Sequence, residues 1–219
     1  MIEARGQRRA IQRAYNIFSF LYARSAALLE RESVKKGLER AQVRPGERVL
    51  EVAVGTAAAF GHLRRRVGGG GLLIGVDLSP GMLRVTRRRV PGARLVQADA
   101  RALPFPADSF DLLWASYLLD LIPTEELTPL LAEFHRVLKP AGAGRPGGRL
   151  LLLNFSKGDN RLTWWERAYR LTPTRLVPYL FGSCRPLEAE PFVRAAGFVE
   201  VERTFIPGGL DSEIITARK

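Results

Sequence analysis

Glu51, Asp77 and Asp99 each fall at or near the end of a short apolar run: Val49-Leu50-Glu51-Val52, Leu72-Leu73-Ile74-Gly75-Val76-Asp77 and Leu95-Val96-Gln97-Ala98-Asp99. Between the first two runs lie a loop of small residues, Ala53-Val54-Gly55-Thr56-Ala57, and chain enough for one helix. Strand, small-residue loop, helix and strand make the first half of a nucleotide-binding α/β sheet. The small residues let backbone approach a ligand, and the N–H groups at the helix start favour its anionic part. In an open α/β sheet, ligands sit outside the C-terminal ends of the strands, so the three carboxylates converge on one crevice. There Asp77 suits the two hydroxyls of a ribose. Asp99, with the Ala100 N–H beside it, suits the exocyclic amine of an adenine. Glu51 suits either the loop itself or a ligand ammonium. Such a set fits a nucleoside with a charged tail better than an isolated phosphate.

The elements that must position these groups are legible in the spacing. Ile11, Tyr15, Phe18, Leu21 and Tyr22 begin an apolar stripe at helical period, which predicts a helix over 8–42. Pro45-Gly46 is a turn. Strands are expected at 48–53, 72–77, 94–98, 110–115, 149–155, 198–205 and 212–218. Helices are expected at 57–67, 80–89, 124–138 and 186–196, the second capped by Ser79 with Pro80 in its first turn. Repeated strand–helix order predicts a mainly parallel sheet with right-handed crossovers. The last two strands have no helix between them and predict an antiparallel edge. Residues 156–190 break the rhythm with Trp164, Trp165, Tyr169, Tyr179 and Phe181, and suit a lid or substrate wall. The expected organisation is one domain: an N-terminal helical cap over 1–44, a cofactor-binding core over 45–155, an acceptor-side insertion over 156–190 and closing strands over 191–219.

Composition narrows the classes further. With 219 residues, 46% of them apolar, the chain can bury a full core. No apolar run is long enough to span a bilayer. The charged start lacks a signal-peptide core, and a lone cysteine, Cys184, rules out an internal disulfide or a clustered-cysteine metal site. These features fit a cytoplasmic protein without a metal centre. The net charge of +12, with 29 Arg against 5 Lys, favours anionic partners. Nucleic acid, acidic substrates and peripheral contact with an anionic membrane are the open forms. Nothing in the residues fixes an oligomeric state.

Four segments carry a resemblance to a known family. They are Val49-Leu50-Glu51-Val52-Ala53-Val54-Gly55-Thr56, Gly75-Val76-Asp77-Leu78-Ser79-Pro80-Gly81-Met82-Leu83, Gln97-Ala98-Asp99-Ala100 with Leu103-Pro104-Phe105 and Phe110-Asp111, and Glu133-Phe134-His135-Arg136-Val137-Leu138-Lys139-Pro140. In this order and spacing, over about 45–155, the chain resembles the class I S-adenosylmethionine-dependent methyltransferases of the ubiquinone/menaquinone-biosynthesis type (methyltransferase type 11). The resemblance implies a Rossmann-like seven-stranded sheet with a reversed last strand and helices on both faces. It implies S-adenosyl-L-methionine as cofactor and S-adenosyl-L-homocysteine as product. By analogy, Glu51 and Gly55 hold the methionine end, with Ala53 and Thr56 in the same loop. Asp77 takes the ribose and Asp99 with Ala100 the adenine, flanked by Leu78 or Met82. Ser116 faces the methionine part or the acceptor. Tyr15 and Tyr22 either cover the cofactor or pack as stripe residues. The family usually has glycine where Ala53 and Ala57 stand, so alanine narrows the cofactor space. The loop 141–148 is longer than the usual Pro-Gly-Gly.

Rival readings meet specific obstacles. A nicotinamide-dependent oxidoreductase needs Gly-x-Gly-x-x-Gly, where this chain has Ala53-Val54-Gly55-Thr56-Ala57-Ala58. Amino-directed nucleic-acid methyltransferases carry an Asn/Asp-Pro-Pro-aromatic run after the fourth strand, where this chain has Ala115-Ser116-Tyr117-Leu118. A non-catalytic protein on the same fold stays open through Ala53 and Ala57. For methyl transfer, Asp120 is the candidate base and Tyr117 a hydrogen-bonding group; His135 reads as a surface or packed residue. The aromatics of 164–181, with Ser183-Cys184-Arg185, suit a small-molecule or lipid-like acceptor: a quinol, a phospholipid amine or a small metabolite.

Overall fold

The computed structural model describes residues 31–142, 144, 146–156, 171–173, 185–207 and 211–219. Seven strands form one sheet in the order β3-β2-β1-β4-β5-β7-β6. β1 (Arg48–Val52) pairs in parallel with β2 (Leu72–Asp77) and β4 (Leu112–Ser116). β2 pairs with β3 (Arg94–Gln97), and β4 with β5 (Arg149–Phe155), again in parallel. β7 (Ser212–Arg218) runs antiparallel between β5 and β6 (Val199–Ile206). The reversed strand is therefore interior, and the edge belongs to β6. β7 is buried along most of its length, which explains why it takes the place beside β5.

Helices cover both faces. α1 (Arg31–Arg40), α2 (Phe60–Val67) and α3 (Pro80–Arg89) share one apolar layer with Val49, Leu112 and Trp114. α4 (Thr124–Val137) and α5 (Glu190–Ala195) share the other. On α4, Leu127, Leu130, Leu131, Phe134 and Val137 recur at helical spacing and bury against Leu50, Leu113 and Leu150. Gly37 lets α1 lie on the sheet: a Cβ there would stand 2.7 Å from the Trp114 ring. No helix among the described residues is long and apolar enough to cross a membrane.

Several boundaries differ from the sequence expectation, each for a physical reason. α2 starts at Phe60 rather than 57, because Ala57 sits at φ +66, outside the helical region. β4 starts at Leu112, and Phe110 makes only an isolated bridge to Leu138. The helix expected over 186–196 shrinks to Glu190–Ala195, because upstream backbone donors serve other elements. The Leu187 N–H donates to the Phe155 carbonyl, and the Ala189 N–H to the Glu213 carboxylate. Of the helix expected over 8–42, the stretch Arg31–Arg40 is helical; Tyr15 and Tyr22 lie outside the described residues, as do Trp164 to Tyr169 and Tyr179 to Cys184.

Candidate functional site

A cleft of about 300 Å³ opens at the C-terminal ends of β1, β2, β3 and β4. Glu51, Asp77 and Asp99 all line it, as the strand-end rule predicts. Their states differ.

Glu51 is 3% exposed, and its Oε2 has no hydrogen-bond partner among the described residues. Burial, and then the neighbouring Asp77 charge, push its carboxyl well above the usual glutamate range. A buried carboxyl with an unused acceptor is costly alone and is stabilised by an incoming cation.

Asp77 ties two elements together. Its Oδ2 accepts the Gly55 N–H and its Oδ1 the Ser79 N–H, both at 2.8 Å. Burial raises its pKa to about 6, against the lowering pull of the Ser79, Gly55 and Leu78 backbone donors. A carboxylate has about four acceptor positions, so capacity remains for a ribose hydroxyl.

The loop between them turns three times into the left-handed region, at Ala53 (φ +58), Gly55 (φ +52) and Ala57 (φ +66). Each alanine held there costs on the order of 1 kcal/mol relative to glycine. α3 holds the loop from outside: the Thr86 hydroxyl donates to the Gly55 carbonyl and Arg89 to the Thr56 carbonyl, both at 2.8 Å. Sequence reasoning missed both contacts; the buried threonine on a helix otherwise ending in arginines was the available signal. Ala53 and Thr56 line the cleft, whereas Ala57 does not. The expectation that both alanines narrow the ligand space is corrected at Ala57, whose effect is on the backbone.

Leu78, Met82 and Ala100 line the cleft as well. Asp99 has company that the sequence did not announce. Arg101 Nε and Nη2 donate to its two oxygens at 2.9 and 3.0 Å, and Nη1 reaches Glu126 at the start of α4. Arg101 and Glu126 are therefore cleft residues as well.

The opposite wall follows β4. Ser116 lines the cleft, with its hydroxyl accepting Trp114 Nε1–H at 2.6 Å. Tyr117 also lines it, at φ +52, and its hydroxyl lies 3.0 Å from Ser212 Oγ. Asp120 departs from expectation. It sits in the 3-10 turn Leu119–Leu121, fully buried and outside the cleft lining, and its carboxylate accepts the Phe155 N–H at 2.9 Å. Turn geometry aims it at β5, while Leu118, Leu121, Ile122 and Pro123 face the cleft. Arg185 is fully buried too and donates to the Ile122 carbonyl at 2.7 Å. His135 packs edge-on against Phe198 and takes no part in the cleft. Among the described residues no group of His, Cys, Asp or Glu could hold a metal.

Known proteins resemble this chain. Residues 49–142 match the family model described as methyltransferase domain. The chain is 36% identical over 149 residues to the ubiquinone/menaquinone biosynthesis C-methyltransferase UbiE of Teredinibacter turnerae, covering 65% of this chain and 56% of that protein. It thus spans little more than half the length of the curated relatives it matches. Among solved structures, the 1,6-didemethyltoxoflavin-N1-methyltransferase of Burkholderia thailandensis, with S-adenosylhomocysteine bound, superposes with a TM-score of 0.65 at 19% identity, covering 96% of this chain and 88% of that one. The [4+2]-cyclase SpnF superposes at 0.63 and 20% identity, covering 86% and 80%. Likeness at such identities establishes the fold alone.

Proposed function

We propose that the chain is a class I S-adenosylmethionine-dependent methyltransferase, as the match of residues 49–142 and the 36% identity to UbiE support, and that it transfers a methyl group to a small-molecule or lipid-like acceptor, an apolar ring of the quinol type being the favoured form. The observation that carries this reading is the bare Oε2 of Glu51, buried beside a loop that Asp77 has already tied down. An unpaired buried carboxyl next to a ribose-competent carboxylate fits a nucleoside bearing an ammonium tail. The residues present therefore fit S-adenosylmethionine.

In this proposal Glu51 meets the ammonium, and Ala53, Gly55 and Thr56 line the methionine end. Asp77 takes a ribose hydroxyl, Leu78 and Met82 flank the adenine, and Asp99 with the Ala100 N–H reads its edge. When bound, the cofactor supplies an electrophilic methyl for in-line displacement, and alignment is the protein's main contribution. Tyr117, anchored through Ser212, offers the acceptor a hydrogen bond. Asp120 is a positioning residue: by holding the Phe155 N–H it fixes the turn that presents Leu118, Leu121 and Ile122.

The acceptor class has two supports. The relative from Teredinibacter is named for methylating carbon in quinone biosynthesis. Ser116, Tyr117 and Asp120 at and just past β4 each bond within the protein, and Leu118, Leu121 and Ile122 give this side of the cleft an apolar wall. The test is transfer of labelled methyl from S-adenosylmethionine to a quinol, a phospholipid amine and a catechol. Label in the quinol alone supports the favoured form, and label in none of the three acceptors refutes the proposal.

A further inference from the structure

From Val52 to Ala98 the chain carries eight arginines, no lysine and a single acid, Asp77, which lies in the cleft. The helices in this stretch turn Phe60, Leu63 and Val67 of α2, and Met82, Leu83 and Thr86 of α3, inward. Arg64, Arg65, Arg66, Arg84, Arg87 and Arg88 are left exposed on the outer side. The two helices are neighbours: Arg64 donates to the Pro91 carbonyl just after α3, and Gly61 faces Val90. Arg94 adds a further exposed charge on the edge strand β3.

None of these seven arginines has an acidic partner among the described residues. Elsewhere pairing is the habit: Arg101 with Asp99 and Glu126, Arg136 with Glu133, Arg149 with Glu47, Arg194 with Glu190, Arg203 with Glu213 and Arg218 with Glu200. Arginine in a last helical turn complements the helix dipole. That accounts for part of Arg64–66 and Arg87–89. It does not account for Arg84 and Arg94, nor for first turns without the acids that the same dipole would favour. An unneutralised patch repels itself and is relieved by an anionic partner.

We infer that the outer face of α2 and α3 docks the protein on a bilayer rich in anionic phospholipid; the choice of a bilayer rests on the apolar-acceptor proposal above. The exposed positions of both helices carry no Phe, Tyr or Trp to stack on bases, which disfavours single-stranded nucleic acid. They carry no large exposed hydrophobe either, so contact stays at headgroup depth. Guanidinium forks suit phosphate oxygens, and mobile headgroups can arrange themselves around fixed arginines.

The test is co-sedimentation of the full chain with vesicles of mixed phosphatidylglycerol and phosphatidylcholine, with phosphatidylcholine vesicles and duplex DNA as controls. Binding to the anionic vesicles is expected, with loss at high salt. A combined R65Q, R66Q, R87Q and R88Q variant should bind about six-hundredfold more weakly, from roughly fivefold per arginine. The charge-reversing variant with glutamate at the same four positions should bind weaker still. If that reversal fails to fold, the glutamine variant carries the test. Equal binding to phosphatidylcholine, unchanged binding by the glutamine variant, or tighter binding to DNA than to anionic vesicles at equal ionic strength would each overturn the inference. Thermal stabilisation by S-adenosylhomocysteine, measured on the same samples, keeps the two readings apart. Stabilisation without vesicle binding sinks the docking face alone, and no stabilisation sinks the reading of the cleft.

Discussion

Glu51 on β1 keeps a carboxylate oxygen without a hydrogen-bond partner, while Asp120, just past β4, has its carboxylate against the Phe155 N–H. The contrast extends along both sides of the cleft. On the β1–β2 side the polar groups point into the opening and hold acceptor capacity. On the β4–β5 side Ser116, Tyr117, Asp120 and Arg185 bond to Trp114, Ser212, Phe155 and Ile122. Leaving a buried polar group unpaired costs about 1–3 kcal/mol. The first side therefore awaits a polar ligand. The second bonds Ser116, Tyr117, Asp120 and Arg185 within the protein and turns Leu118, Leu121 and Ile122 toward the cleft.

The strongest way to break this comparison is Asp77→Ala. It removes the link between the Gly55 loop and β2 together with the ribose acceptor, and should weaken cofactor binding by about a hundredfold or more. Circular dichroism should show the fold intact. Equilibrium dialysis with S-adenosylhomocysteine measures the loss, and an affinity within a few-fold of wild type would remove Asp77 from the site.

Glu51→Gln should weaken S-adenosylmethionine binding about tenfold. It should also flatten the pH dependence of binding, because the ammonium selects ionised Glu51 and wild-type affinity then rises with pH. The free protein should show the opposite trend in stability. Asp77 titrates near 6 in the folded chain against 3.8 ordinarily, so the folded state holds its proton longer. The stability this group contributes is fully present below about pH 4 and is lost as pH rises through 6, by up to about 3 kcal/mol. Melting curves of wild type against Asp77→Asn across that window would reveal it; parallel curves would mean that Asp77 is not raised.

Asp120→Asn sharpens the other side. It should cost about 1–3 kcal/mol of stability and leave turnover per folded molecule within a few-fold. A large loss of turnover with stability intact would instead return Asp120 to the chemistry. The smallest effects come from the loop alanines. Ala53→Gly and Ala57→Gly should each raise stability by up to about 1 kcal/mol, since glycine adopts their left-handed turns without strain. Only Ala53→Gly should also change cofactor affinity, because only Ala53 lines the cleft. Equal affinity changes from both would contradict that division.

The two sides also differed in how far the sequence disclosed them. β1, the Gly55 loop and β2 are contiguous, and an apolar run, small residues and an acid announce each in turn. What stayed hidden depends on long-range partners. Arg101 claims Asp99 together with Glu126, which lies 25 residues on. Asp120 follows a strand end closely enough to look catalytic, yet its turn aims it at β5. The chain at 186–189 has helical composition, but its N–H groups serve Phe155 and Glu213. Nothing in an alanine announces a left-handed turn, so the late start of α2 was invisible. Strand order was hidden for a related reason: periodicity marks β7 as a strand but does not place it inside β6.

Calorimetric titration with S-adenosylhomocysteine, with NAD and NADP as controls, tests the central claim most directly. One site per chain, no heat from the dinucleotides and a titration abolished by Asp77→Ala is the predicted result. No binding of S-adenosylhomocysteine by the folded wild-type chain, or binding indifferent to Asp77, would contradict it.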